Sequence, residues 1–202
     1  MITGYSIVSL KDMIDELGEK KIKEILSQFS CSLNADVESF LHNSAIELAK
    51  QGVSATHLVF TPYKNSPVIA GYFTLASKNI IVSQKSISNS LRKRIAKFGT
   101  YDPDRKGYII AAPLIAQLGK NYTNNYNDLI SGDEILSMAC KQVSKVQQII
   151  GGKIVYLECE DKPSLIKFYN DNGFVNFGQR KLDRDETELL SGQYLIQMLK
   201  YL

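Results

Sequence analysis

The run KIVYLECE at 153–160 is apolar almost without interruption. A strand with one wet face alternates apolar and polar residues, so this one is expected to be covered on both faces. Helical patterns flank it. Before it, from about Gly132 to Ile149, the residues Ile135, Leu136, Ala139, Val143 and Val146 fall on one stripe. After it, Asp161 can cap a second helix, Pro163 suits its first turn, and Asn172-Gly173 stops it. Leu165, Phe168 and Tyr169 share one face of that helix, and Phe174 can pack back on it. A doubly covered strand between two amphipathic helices demands a sheet layered with helices.

The rest of the chain alternates in the same way. YSIVSL (5–10) reads as a short strand. Ser9 opens a helical region with Asp12 as capping partner, carrying Met13, Ile14 and Leu17, and beyond Gly18 the residues Ile22, Ile25, Leu26 and Phe29. A second helix is expected from about Asp36 to Lys50, burying Val37, Phe40, Leu41, Ile46 and Leu48, with Gly52 ending it. THLVFTPY (56–63) and VIAGYFTLA (68–76) form an antiparallel hairpin across KNSP. Residues 77–106 read as a polar, basic insertion with a short helix at SNSLRKRIAKFG. The long apolar strand YIIAAPLIAQLG (108–119) follows, then the polar loop KNYTNNYNDLI, and the chain closes with FVNFGQ and QYLIQMLKYL. The order β-α-α-β-β-(α)-β-α-β-α-β-β predicts a single domain over 1–202, an α/β (mixed α+β) fold with a mixed sheet and helices on its faces.

At 202 residues and 44% hydrophobic content the chain holds one substantial core. A net charge of +3 is far below the bias of a dedicated nucleic-acid binder. Cys31, Cys140 and Cys159 form no CxxC pair, and His42 and His57 are the only histidines, so neither a disulfide framework nor a metal site is expected. The first twenty residues show no secretory h-region, and no apolar run approaches the roughly 20 residues a membrane helix needs. A soluble cytoplasmic protein without a membrane partner is expected.

Chemistry concentrates first at the entry to the helix near Gly132. Ser131, Gly132, Asp133 and Glu134 fit a capping box, and the free amides of a helix N-terminus attract anions. The same residues also describe an ordinary well-capped helix, and Asp128, Asp133 and Glu134 oppose an incoming phosphate.

Here the chain resembles the GNAT N-acetyltransferases. LIAQLGKNY, the loop into the helix at Gly132, IVYLECED and above all SLIKFYNDNGF carry the likeness, which spans roughly residues 54 to 202 and includes the hairpin GYFTLA. The resemblance implies a mostly antiparallel twisted sheet with a splayed central strand pair, acetyl-CoA as cofactor, and direct acetyl transfer to a primary amine. It assigns the pantetheine arm to the backbone of Leu118, Gly119 and Lys120. It assigns the pyrophosphate to Asn127, Asp128, Leu129, Ile130, Ser131 and Gly132. In that loop Leu129 stands where the family commonly has arginine, and Ile130 where it has the first glycine.

Tyr169 alone reads as helix packing; under the resemblance it is the general acid that protonates the leaving thiolate. A strand-end amide would stabilise the oxyanion. Cys159 reads as a buried small apolar residue rather than an acyl carrier, and His57 as structural. Glu158 and Glu160 point to one side of their strand, and either is open as a proton acceptor or as a solvated carboxylate; no base is assigned. Lys85, Arg92, Lys93, Arg94 and Lys97 are either a solvated helix face or, as in toxin-type GNAT proteins that acetylate aminoacyl-tRNA, a grip on the RNA backbone. The primary expectation is transfer to an unidentified amine acceptor. A tRNA-acetylating toxin and a non-catalytic acyl-CoA-binding or interaction module are the alternatives, and homodimer formation stays open.

Overall fold

The computed structural model describes residues 4–183, 190 and 192–202. The short strand β1 (Ser6–Ser9) leads into α1 (Leu10–Leu17), whose first turn is capped by the Ser9 hydroxyl accepting from the Asp12 amide. Gly18 takes a left-handed φ of 78° and starts α2 (Glu19–Leu26) on a new axis. The helix expected over 36–50 is three pieces: α3 (Ala35–Ser39), a wide π turn at Phe40–Ser44, and α4 (Ala45–Lys50). The π turn rotates the buried stripe, so Ala45 and Ala49 are buried while Phe40 and Leu48 keep partial exposure.

Two strands follow, β2 (Ser54–Tyr63) and β3 (Ser66–Ser83). Lys64 and Asn65 between them both have positive φ, 46° and 66°, as a two-residue hairpin turn requires. β3 runs seven residues past the expected end at 76, because Ile80 and Val82 are buried and Ile81 exposed, a period of two that the polar surroundings mask. Next come α5 (Asn89–Ile95), β4 (Thr100–Asp102) and β5 (Gly107–Lys120). A kinked 3₁₀ segment, Thr123–Leu129, joins β5 to α6 (Gly132–Ile150). On α6 Val146, expected in the core, is 40% exposed. β6 (Ile154–Glu160), α7 (Pro163–Asp171), β7 (Val175–Lys181) and β8 (Tyr194–Tyr201) complete the chain. α7 begins after Lys162 with no side-chain cap, so Asp161 does not play the capping role its position suggested.

The eight strands form a mixed, mostly antiparallel sheet. The residues group into two compact units: the chain to Ala76 with Ala116–Ala139, and Ser77–Ile115 with Cys140–Leu202. In the first, the strand order is β1-β2-β3-β5. Its core packs α1 to α4 against β2 and β3 through Leu10, Ile22, Leu26, Leu41, Leu58 and Tyr72. Tyr72 stands between Phe29 and Phe40, and its hydroxyl donates to the Val37 carbonyl at 2.6 Å. On the other face of β3, a Cβ at Gly71 would meet the tip of Ile135 of α6 at 2.5 Å and the Gly119 backbone oxygen at 2.7 Å. The oxygen cannot yield as a side-chain tip can, so glycine is required there.

In the second unit the order is β3-β5-β6-β8-β7, with β4 on β5. β6 pairs with β8 along its whole length. Its parallel ladder with β5 holds two pairs, Leu114 opposite Tyr156 and Ile115 opposite Leu157. One face of this sheet is covered by α5, through Leu91 and Ile95 against Ile110, Ile154, Tyr156 and Leu199.

Candidate functional site

In the first unit, Lys120, Asn127, Asp128, Leu129, Ile130, Ser131 and Glu134 line an open groove of about 380 Å³. Of the residues the sequence assigned to cofactor binding, six line it; Gly132 is the first residue of α6, and Leu118 and Gly119 lie near the C-terminal end of β5. Gly119 has a packing reason of its own: a Cβ there would sit 2.4 Å from a Val37 methyl.

The groove is built by local hydrogen bonding. Ser131 caps α6 by accepting from the Glu134 amide at 3.1 Å, and Glu134 reaches back to the Ser131 amide at 2.8 Å and its hydroxyl at 2.9 Å. These contacts hold the Glu134 carboxyl below the usual range: the Ser131 amide first, then its hydroxyl. The Lys120 ammonium donates to the Asn127 carbonyl at 2.8 Å and is the one cation in the lining, beside Asp128 and Glu134.

Two residues that sequence reasoning passed over support this groove. Asn121 is 1% exposed; its amide donates to the carbonyls of Ile69 and Gln28, and its oxygen accepts from the amides of Ser30 and Thr123. It staples the exit of β5 to the segment after α2. A lone Asn at a strand end carries no such signal in sequence. Tyr5 places its hydroxyl 3.0 Å from both the Leu129 carbonyl and the Glu134 carboxylate, and burial followed by the Glu134 contact raises its pKa. Nothing in the sequence links residue 5 to a loop more than a hundred positions away.

In the second unit, α7 presents Tyr169. Gly173, at φ 81°, turns the chain so that the Phe174 amide donates back to the Tyr169 carbonyl at 3.0 Å. Phe174 is buried and meets the Tyr169 ring edge-to-face at 5.9 Å; Phe168 does so at 4.9 Å. The ring is thus fixed, while among the described residues no protein group bonds its hydroxyl. Burial raises the phenol well above 10, with the neighbouring Cys159 adding to the shift, so it holds its proton at neutral pH. Cys159 is buried, and its thiol is pushed up to about 11 by burial, then Asp161 and Glu160. That suits a packing residue, not a nucleophile.

The two carboxylates of β6 are both engaged. Glu160 is buried beside the Lys162 ammonium at 2.8 Å. Glu158 accepts from Arg180 Nε at 2.6 Å and from Gln197 Nε2 at 2.8 Å. His57 stacks on Phe73 and its Nδ1 lies 3.2 Å from the Ala55 carbonyl, a structural setting. On α5, the Ser88 hydroxyl caps the helix by accepting from Leu91. Among the described residues Lys85, Arg92, Lys93 and Lys97 have no carboxylate partner, and Arg94 lies over the Tyr201 ring at 5.3 Å. The same residues include no group of three or more His, Cys, Asp or Glu able to hold a metal, and no helix long and apolar enough to cross a membrane.

No family model and no curated protein matches the chain. Solved structures do. AtaT complexed with acetyl-methionyl-tRNAfMet superposes at a TM-score of 0.62 and 15% identity, over 96% of this chain and 94% of that one. A tyrosine-to-phenylalanine mutant of KacT gives 0.61 and 12%, over 96% and 93%. A tyrosine-to-phenylalanine mutant of the AtaT toxin, bound to the C-terminus of the antitoxin AtaR and acetyl-CoA, gives 0.58 and 12%, over 98% and 92%. At these identities the likeness shows the fold, the GNAT-like mixed sheet of these toxins.

Proposed function

We propose that the chain is an acetyltransferase of the toxin type, moving the acetyl group of acetyl-CoA onto the amine of an aminoacyl-tRNA. The observation that carries this choice over an unspecified amine is the near end-to-end likeness to a toxin held with acetyl-methionyl-tRNAfMet. Sequence alone ranked the unspecified amine first.

The residues present fit the donor. The groove places the Lys120 ammonium beside the N-terminus of α6, where a pyrophosphate is favoured by charge and amide donors. Asp128 opposes it, and Glu134 less so, since its carboxylate is spent on Ser131. Lys120 and Asn127–Gly132 would hold the pyrophosphate, and the backbone of Leu118, Gly119 and Lys120 the pantetheine arm. Bound acetyl-CoA supplies the activated acetyl group. Tyr169, protonated at neutral pH and with its hydroxyl unclaimed, is the proton donor to the leaving sulfur. The cations of α5, without carboxylate partners, are suited to phosphates of the RNA.

The test is transfer of a labelled acetyl group. Label from acetyl-CoA should appear on the α-nitrogen of charged tRNA and be absent from uncharged tRNA. Label moving only to small amines would restore the broader acceptor reading. CoA binding with no thiol release from any acceptor would leave a non-catalytic module and overturn the proposal.

A further inference from the structure

Acyl transfer from a thioester to an amine involves two proton movements, one onto sulfur and one off nitrogen. Tyr169 serves the first. The second lacks a residue, and the alternation of β6 indicates where to look. Ile154 and Tyr156 pack with Leu91 and Ile95, on the face that α5 covers. Glu158 is the next residue on that same face. Cys159 faces the other way, and it is near enough to Tyr169 to act on the phenol electrostatically. Tyr169 and Glu158 therefore stand on opposite sides of one strand. Glu158 is also the first residue of β6 past Leu157, where the ladder with β5 ends.

The carboxylate is set for use. Its side chain is 14% exposed, and each oxygen has one fixed donor, Arg180 Nε on one and Gln197 Nε2 on the other. Carboxylate oxygens accept more than one bond, so each keeps capacity for a further donor. Glu160, by contrast, is 8% exposed at its side chain and closed by Lys162. The charged and titratable groups around Glu158 are Tyr156 on its own strand, Arg180 of β7 with Asp183 at 3.7 Å behind it, and the Glu160–Lys162 pair. Arg92, Lys93 and Arg94 belong to the helix covering this face, and Lys97 follows it.

Resting on the function proposed above, we infer that Glu158 is the catalytic residue on the acceptor side: it receives the aminoacyl amine delivered along the α5 face and takes its proton. The nitrogen lone pair forms the C–N bond. The C–S bond breaks with its electron pair going to sulfur, and sulfur takes the Tyr169 proton. The nitrogen, cationic once bonded to the acyl carbon, passes its proton to a Glu158 oxygen. A proton released by Glu158 to solvent and one taken up by Tyr169 restore both groups. No strong base is needed, because the nitrogen becomes acidic as it bonds.

Glu158→Gln keeps the size, takes no proton, and can accept from only one of Arg180 and Gln197, its NH2 facing the other donor. With charged tRNA, kcat should fall about 10²-fold, with the KM for acetyl-CoA and the salt dependence of tRNA binding unchanged. Glu158→Asp, which keeps the charge and withdraws it by one methylene, should lose at least about tenfold in kcat with the KM for acetyl-CoA again unchanged. If Glu158→Gln does not fold, the aspartate variant decides alone by the same two readouts. Wild-type kcat in a folded variant overturns the assignment while leaving acetyl transfer intact. A wild-type chain that acetylates nothing overturns both readings.

Discussion

Gly119 shows how tightly single atoms are specified near the groove. Its missing Cβ would lie 2.4 Å from a Val37 methyl, with Phe29 and Tyr72 close behind. Gly119→Ala must displace α3 or the strand end, and overpacking of this kind costs about 1–3 kcal/mol. A lowered denaturant midpoint with an unchanged m-value is expected; an unchanged midpoint would show that α3 yields freely. Phe174 is a second such residue. It is buried, and it meets the Tyr169 ring. Phe174→Leu should preserve much of the burial yet free the phenol, so turnover should fall more than stability, seen as reduced kcat at temperatures well below Tm. Equal turnover would mean that the ring is oriented by Phe168 alone.

At the scale of elements, the helix entering at Gly132 depends on its reciprocal cap. Ser131→Ala removes one partner and should cost about 1 kcal/mol. The pH sign follows from Glu134, whose carboxyl is held low by Ser131 in the folded chain. Its contribution is full above the unfolded carboxylate value of about 4.3 and is lost as pH falls through the depressed folded value. Thermal melts of wild type and Ser131→Ala should therefore differ at pH 7 and differ by less in acid, where the hydroxyl's bond to the Glu134 amide persists and its bond to the carboxylate is lost. A constant difference would show that the hydroxyl does not hold the carboxylate. α5 predicts a binding effect instead. Replacing Arg92, Lys93 and Lys97 by Ala should flatten the salt dependence of tRNA affinity by roughly 0.9 in log–log slope per lost phosphate contact. An unaltered slope would mark the helix as a solvated face.

Much of this was legible in the residues themselves. The capping box at Ser131, the stop at Asn172-Gly173 and the doubly covered strand at 154–160 are local or periodic signals, and they read correctly. The cap expected at Asp161 was a local signal that the chain does not use. The other misreadings came from longer-range or masked patterns. The π turn at Phe40–Ser44 shifts a stripe that looks regular in sequence, and β3 hides its last seven residues because Lys78 and Asn79 make the strand look polar. Asn121 and Tyr5 act on partners roughly 50 to 130 positions away, which no window of sequence exposes.

For the molecule as a whole, the residues of the proposed site fall in two compact units. One holds the groove with Lys120 and the capped start of α6; the other holds Tyr169, Glu158 and the basic α5. This division predicts separable defects: substitutions in the groove should weaken donor binding, and those at Tyr169 should spare it. The most direct measurement is a single-turnover rate for acetyl transfer to charged tRNA, taken with acetyl-CoA affinity, for wild type and Tyr169→Phe. A rate reduced by about 10²-fold or more at equal affinity is the expected result. An equal rate in the phenylalanine form would contradict the account, because the proton on the departing sulfur would then come from somewhere else.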